Sequence, residues 1–383
     1  MTETIFWASV LLLFYIYIGY PLLLALLKII FVRPARSDEN YEPTVALIIS
    51  AFNEQEVIED KLKNSLELDY PADKLQIWVV SDASTDATDR LVQGFGNARV
   101  HLFRLPERKG KTFGITEVMK KIDADVVVFS DANSIYEPNA LRELVKYFAD
   151  DKVGYVVGYA RYYKDHKSAA GAQEDTYWSF EVKMKMNESA IGSVVGGDGA
   201  IYAIRRKLFI PLHEDDINDF VNPMQIILQG YRGIFNPKAV CYEEASPSFL
   251  KEYWRKRRIV NRSWRGLWKN AQILNPFKTG FYALQVFSHK LLRWLGGFFC
   301  LTALVANAFL IEKNSFYAVL FVLQIIFHLT ALLGYWLDKR GKKAPFFINL
   351  PYYFDMVNLA SLQGIVEALY GKKYVTWKTI RQE

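Results

Sequence analysis

Hydrophobic and polar positions along the chain fall into two distinct patterns. Residues 5–27, 294–311 and 314–337 contain no Asp, Glu, Lys or Arg, and each run approaches the ~20 residues a helix needs to cross a bilayer. Soluble core helices seldom stay uncharged all round for that length, so these runs predict membrane helices rather than buried ones. Between them, residues 43–160 alternate short β-branched runs with amphipathic stretches. Thr44–Phe52, Gln76–Ala83, Ala98–Leu105 and Asp125–Asn133 are nearly continuously apolar, the pattern of strands covered on both faces. Helix-like stretches lie between them at about 54–68, 85–95, 109–122 and 138–149. Ser84 is placed to cap the second of these, and Pro138 to open the last. Alternating strands and helices predict an α/β fold with a mostly parallel, doubly wound sheet. Sheets of this kind bind ligands beyond the carboxyl ends of their strands.

Residues 161–245 are less regular, with a polar helical pattern over 168–188, a glycine-rich turn at Gly196, Gly197 and Gly199, and a strand–turn–strand signal around Gly230-Tyr231. Phe249–Lys269 is basic and rich in tryptophan. On a helix, Arg258, Arg262 and Arg265 share a face, while Trp254, Trp264 and Trp268 add large amphipathic rings, a combination that favours lying in a membrane interface. A soluble surface helix is the alternative. Residues 344–371 are apolar but interrupted by Pro345, Pro351, Asp355 and Glu367, and basic residues flank both ends. A single crossing there would violate the charge bias, so the segment reads as re-entrant or interfacial. The resulting division is an N-terminal anchor over 1–33, a catalytic domain over 43–245, interfacial helices over 246–290, two crossings within 291–338 and the re-entrant or interfacial piece over 344–383.

Composition sharpens the picture. The chain of 383 residues is 51% hydrophobic and 15% aromatic, with 23% charged residues and a net charge of +6. The excess is basic near the membrane flanks, at 251–269, 338–343 and 372–381, which points to anionic lipid headgroups and not to nucleic acid. Lys28, Arg33 and Arg36 follow the first apolar run and only Glu3 precedes it, so the positive-inside bias puts residue 33 onward in the cytoplasm and the protein in the inner or plasma membrane as a multi-pass chain. That first run is too long for a signal h-region and lacks a small-residue cleavage site, so it reads as a retained anchor. Cys241 and Cys300 lie far apart and suggest neither a disulfide framework nor a zinc site. They and the scattered histidines read as packing or surface residues. Nothing in the pattern sets an oligomeric state.

The candidate chemistry sits at the strand tips. The first strand ends in Ala51-Phe52-Asn53-Glu54, the second in Ser81-Asp82-Ala83-Ser84-Thr85-Asp86, and the fourth in Ser130-Asp131-Ala132-Asn133. Three neighbouring tips with carboxylates repel one another unless a cation or a donor-rich ligand lies among them. Asp131 and Asn133, two apart on an extended segment, can both reach one hard cation. Magnesium or manganese, oxygen-ligated and shared with phosphates, fits.

With those motifs the sequence resembles the family 2 inverting glycosyltransferases, in the membrane-integrated branch that includes cellulose, chitin and hyaluronan synthases, over roughly residues 43–300. The resemblance implies a glycosyltransferase A-type (Rossmann-like) fold. It implies that Phe52, Glu54 and Asp82 hold the base and ribose of a nucleoside diphosphate sugar and that Arg108-Lys109-Gly110-Lys111 faces the diphosphate, with Lys111 and Asp131 touching the nucleotide. A helix-surface lysine is the alternative for Lys111. The family's D-x-D metal motif corresponds to Asp131-Ala132-Asn133, where Asn keeps an oxygen ligand and removes one charge. Gly196-Gly197-Asp198-Gly199-Ala200, followed by Arg205-Arg206, is similar to the acceptor-side segment and nominates Gly197 and Asp198. Asn218-Asp219-Phe220 stands where the family has T-E-D or D-D-F, so Asp219 is implied as the general base, with a helix N-cap as the alternative role. The Q-x-x-R-W motif aligns with Arg255 to Ile259. It keeps Arg258, implied as a catalytic contact to the diphosphate, but lacks the Gln and the Trp, and Trp264 is the nearest substitute ring on the acceptor side.

The implied activity is transfer of a UDP-linked sugar, a hexose or N-acetylhexosamine, to a saccharide in cell-surface polysaccharide synthesis. Two alternatives stay open: single transfer to a lipid-linked acceptor, and an inactive scaffold or nucleotide sensor.

Overall fold

A computed structural model describes residues 1–163, 169–244 and 248–376, with side chains from 169 to 179 left aside. An N-terminal helix α1 (Thr2–Ile30) leads into β1 (Val45–Ala51), α2 (Ile58–Leu66), β2 (Leu75–Ser81), α3 (Thr88–Gly94), β3 (Val100–Arg104), α4 (Lys111–Val118) and β4 (Val126–Asp131). These are the four strands and the helices between them that the apolar periodicity predicts. In β1, Ala46 and Ile48 enter one hydrophobic core while Val45, Leu47 and Ile49 enter the other. Two-sided burial is the reason the strand is apolar throughout.

The second half of the sheet departs from a parallel plan. Short β5 (Ile135–Tyr136) and α5 (Ala140–Val145) precede β6 (Val153–Tyr162), α6 (Ala169–Ile191), β7 (Tyr202–Arg205), α7 (Asn218–Leu228) and β8 (Arg232–Glu243). The strand order is β3-β2-β1-β4-β7-β6-β8-β5. Strands β1 to β4 are mutually parallel, β7 runs antiparallel to both β4 and β6, and β5 is antiparallel to β8. The sheet is therefore mixed. The expected strand–turn–strand at Gly230 is a helix–turn–strand instead: Phe220, Val221, Met224 and Ile227 bury one face of α7 at helical spacing. Gly230, at φ +88°, supplies the left-handed turn after it. Ser84 does not cap α3. Its hydroxyl accepts from Asn53 N, and Asp86 Oδ1 takes the Thr88 amide at 3.0 Å.

Helix α8 (Phe249–Lys269) follows, capped by Ser248 through the Lys251 amide. Then come α9 (Phe281–Trp294), α10 (Gly296–Ala308), α11 (Ser315–Lys339) and α12 (Phe346–Leu369). Among the described residues two helices, α1 and α11, are long and apolar enough to cross a membrane, or three spans if the bent pair α9 and α10 counts as one. In the crossing anticipated at 294–311 the helix covers only Gly296–Ala308, and it meets α9 at a bend of 57°. At that bend a Cβ on Gly296 would lie 2.6 Å from Asn358 Oδ1, so the Asn358 side chain of α12 occupies the space a side chain there would need. Residues 346–369 form one continuous helix with Pro351 inside it, and α12 packs along α8 and α11. The expected basic run at 372–381 lies partly beyond the described residues. Its first part returns across the domain, where the Val375 carbonyl takes the space a Cβ on Gly110 would need.

Arg232, buried at the start of β8, donates to the carbonyls of Arg33, Pro34 and Ser189. It fixes the segment leaving α1 to the sheet.

Candidate active site

The exits of β1 and β2 are built around two strained residues. Asn53 and Ala83 sit at φ +53° and +56°, a conformation that costs a non-glycine residue ~1–2 kcal/mol. Asn53 Oδ1 accepts the Thr85 amide at 2.8 Å, which ties the two tips together. Asp82, 1% exposed, turns toward the β3–α4 loop: its Oδ1 accepts the amides of Lys109 and Gly110 at 2.8 and 2.9 Å, and Arg108 Nε stands 3.7 Å from Oδ2. The Arg108 guanidinium lies over the Phe52 ring at 3.6 Å from its centroid. Asp82 and Phe52 thus shape the loop and stand outside the main cavity, one strand away from Asp131.

That cavity, of about 380 Å³, opens beyond the tips of β1 and β4 and is lined by Glu54, Lys111, Asp131, Asn133, Gly197, Asp198, Asp219 and Arg258 among others. Lys111, the first residue of α4, makes an ion pair with Asp131. Gly199 marks where the charged groups meet. A Cβ built there would lie 3.3 Å from Asp219 Oδ2, 3.6 Å from Lys111 Nζ and 3.8 Å from Asp131 Oδ2. The glycines are required for this approach: Gly197 N–H donates to the Asp219 carbonyl, and a Cβ on Gly197 would stand 2.8 Å from that oxygen. Of the three acids expected to converge, Asp131 and Asp219 do so and Asp82 does not, because the amides of 109 and 110 turn its carboxylate aside.

Burial pushes the Asp219 carboxyl above its ordinary value. Lys111 and Arg262 oppose that shift, while Asp198 and Asp131 add to it. Its Oδ1 is buried without a hydrogen-bond partner among the described residues. A desolvated carboxylate with one oxygen unused is a stronger base than an exposed one.

Helix α8 closes the cavity with Arg255, Lys256, Arg258, Ile259 and Arg262. Arg262, missed as a site residue, is buried and donates to Thr112 Oγ1 at 2.9 Å and to the Asp216 carbonyl. Burial lowers its pKa to about 10, which leaves it a cation at neutral pH. Its place four residues after Arg258 was the available signal. Arg265 turns instead to Asp215, which Lys269 also holds at 2.7 Å. Trp264 does not line the cavity. It packs between Trp268 and Trp294, with centroids at 5.6 and 6.5 Å, and Trp294 provides the ring that faces the site. A tryptophan at the start of an apolar run gave no sequence signal of that role. Glu243, at the end of β8, was missed as well. It lines the cavity, accepts from Ser134 Oγ at 2.6 Å, and is raised to about 7 by burial and by Asp131.

No trio of His, Cys, Asp or Glu side chains among the described residues is arranged to hold a metal ion unaided. Asp131 and Asn133 offer two hard oxygens in the cavity, a donor set that suits a dication whose coordination is completed by phosphate and water.

The mixed α/β sheet, with charged residues gathered at the carboxyl tips of its parallel half, resembles that of the glycosyltransferase A-type folds. Residues 46–211 match the sequence model of Glycosyl transferase family 2, and the chain carries a glycosyltransferase domain of that family. It is similar to the poly-beta-1,6-N-acetyl-D-glucosamine synthase of Staphylococcus aureus, 25% identical over 258 residues that cover 62% of this chain and 62% of that protein. It is also 34% identical over 116 residues to the beta-monoglucosyldiacylglycerol synthase of Synechocystis, covering 29% of this chain and 24% of that one. The chain thus spans less than two thirds of the length of either relative. The solved mannosyltransferase PcManGT from Pyrobaculum calidifontis, in complex with GDP-Man and Mn2+, aligns with a TM-score of 0.75 at 23% identity, over 97% of this chain and 100% of that one. That likeness is one of fold.

Proposed function

We propose that the chain is an inverting transferase that moves a sugar from a nucleoside diphosphate donor, UDP-linked, to a hydroxyl of a saccharide acceptor at the cytoplasmic face of the membrane. The observation that carries this reading is the meeting of Asp219, Lys111 and Asp131 at Gly199. The donor's diphosphate lies toward Lys111, Arg258 and Arg262, and its nucleoside toward Phe52, Glu54 and Asp82. Asp219 accepts the proton of the acceptor hydroxyl as that oxygen attacks the anomeric carbon, displacing the diphosphate in one step with inversion. The three cations stabilise the charge that grows on the departing diphosphate. Asp131 and Asn133 would hold Mg2+ or Mn2+, which when bound would offset the negative charge of the diphosphate. Gly197 and Asp198 border the acceptor's side of the cavity. Anionic lipids contact the basic flanks, and cell-surface polysaccharide synthesis is the process this chemistry serves, in keeping with the name of the S. aureus relative.

Detergent-purified chain should bind UDP-sugars in the presence of Mn2+ in a calorimetric panel with GDP- and dTDP-sugars. Asp219→Asn should lower turnover about 10²- to 10⁴-fold with donor affinity within a fewfold of the parent. Unchanged turnover would remove Asp219 as the base, and an absence of binding across the panel would remove the donor reading.

One observation favours single transfer over polymerisation: Ile259 lines the cavity where the synthases carry tryptophan. Sizing the product made from labelled donor distinguishes the two, as a single adduct or a ladder.

A further inference from the structure

Behind the cavity wall lies a charged cluster that the reaction outlined above does not use. His289 is buried in a π-turn of α9, Phe287–Leu291, with both ring nitrogens against carboxylates. Nε2 lies 2.7 Å from Glu181 Oε1 and Nδ1 lies 2.8 Å from Glu188 Oε1. A carboxylate can only accept, so both contacts are hydrogen bonds when each ring nitrogen carries a proton and the ring is a cation. Among other side chains only lysine and arginine combine a full charge with several donors, and neither has the compact, opposed pair that imidazolium presents. The insertion of an extra residue in a π-turn is a recurrent feature of functional sites.

The two carboxylates lead in different directions. Glu181 reaches the cavity and is also held by Arg293 Nη1 at 2.9 Å. Glu188, wholly buried, accepts the Tyr20 hydroxyl of α1 at 2.7 Å and, through Oε2, the Val195 amide at 3.1 Å. Val195 precedes Gly196, which is at φ +77°. The next residue, Gly197, donates to the Asp219 carbonyl, and Gly199 lies against the Asp219 carboxylate. An unbroken series of contacts therefore runs from the membrane helix α1 and from α9 to the turn that sets the position of Asp219.

We infer that His289 is a positioning residue for sugar transfer: with a carboxylate against each ring nitrogen it clamps Glu188 against the 195–199 turn and Glu181 against the cavity wall, coupling the membrane helices to the placement of Asp219. This rests on the reading of the cavity as the transfer site, and the test separates the two.

The full chain in detergent is compared with His289→Gln, which carries both its N–H donors on one nitrogen and so lacks the opposed pair, and with Glu188→Gln. Hydrogen–deuterium exchange at amides 195–199 should accelerate at least tenfold in both variants while β1 and β4 keep parental rates. This readout needs neither donor nor acceptor. Binding of UDP and GDP with Mn2+ should stay within twofold of the parent, and turnover of whichever sugar nucleotide the parent uses should fall at least tenfold. Parental exchange at 195–199 in a folded His289→Gln chain overturns the inference. So does joint loss of nucleotide binding and turnover, or failure of both variants to fold, since either makes His289 a general structural bolt. A parent that binds neither nucleotide counts against the donor reading alone, and the exchange result still decides this one.

Discussion

A methyl group at Gly199 is the smallest possible probe of the cavity. The residue's φ lies outside the left-handed region, so alanine adds no backbone strain, yet its Cβ would stand within 3.8 Å of Asp219, Lys111 and Asp131 at once. Gly199→Ala should reduce turnover at least tenfold and leave the thermal midpoint nearly unchanged, as read by donor consumption and by a melt in detergent. Glu243 offers a second test at this scale. Its folded pKa of about 7 stands above the ordinary 4.5, so the protonated form is favoured by folding. Its stabilising contribution is full below about pH 4.5 and is lost as pH rises through about 7. The parent's thermal midpoint should therefore drop more between pH 5 and 8 than that of Glu243→Gln, which has no proton to release. Asp131 and Asn133 were legible as candidates because polar residues at a strand tip stand out against an apolar strand, whereas Asp219, in the first turn of α7, was nominated through the likeness of Asn218-Asp219-Phe220 to the family motif. Glu243 and Trp294 were not, because neither falls in a pattern, and only the pairing of β8 with β6 and the bend after α9 deliver them to the cavity.

Helix α8 carries Arg258 and Arg262, so whatever holds α8 in place sets the cations of the site. Its outer side rests on α12 at Gly364, where a Cβ would stand 2.6 Å from the Arg257 carbonyl and 3.1 Å from the Asn261 amide. Both neighbours are helical backbone and cannot swing aside. Gly364→Ala should destabilise by about 1–3 kcal/mol, the usual cost of overpacking, and should weaken nucleotide binding in parallel as α8 is pushed from the cavity. Thermal unfolding and calorimetric titration of the same sample check both effects. At the other end, Asp215 pins Arg265 and Lys269, which explains why the third arginine of the expected basic face turns away from the site. Helical spacing placed the arginines on one side of α8. The partners that divide them between cavity and loop come from elsewhere in the chain.

For the whole molecule, the proposed topology places the N-terminus outside and the glycosyltransferase domain in the cytoplasm. The physical basis is the cluster Lys28, Arg33 and Arg36 at the inner end of α1. A cysteine introduced before residue 5 should react with a membrane-impermeant maleimide in intact cells, whereas one at Asp73, on the turn before β2, should react only after permeabilisation. The reverse labelling pattern would invert the topology.

What the sequence determined by itself were the features written in local periodicity: four apolar strands, their intervening helices, the uncharged helices at the ends, and acids at the carboxyl tips. These follow from burial and backbone geometry acting over a few residues. Only the tertiary structure decided the antiparallel insertion of β7, the bend between α9 and α10, the withdrawal of Asp82 from the shared cavity, and the pairing of His289 with two glutamates more than a hundred residues before it. Those outcomes depend on contacts between segments far apart in the chain, and no local pattern encodes the geometry in which such segments meet.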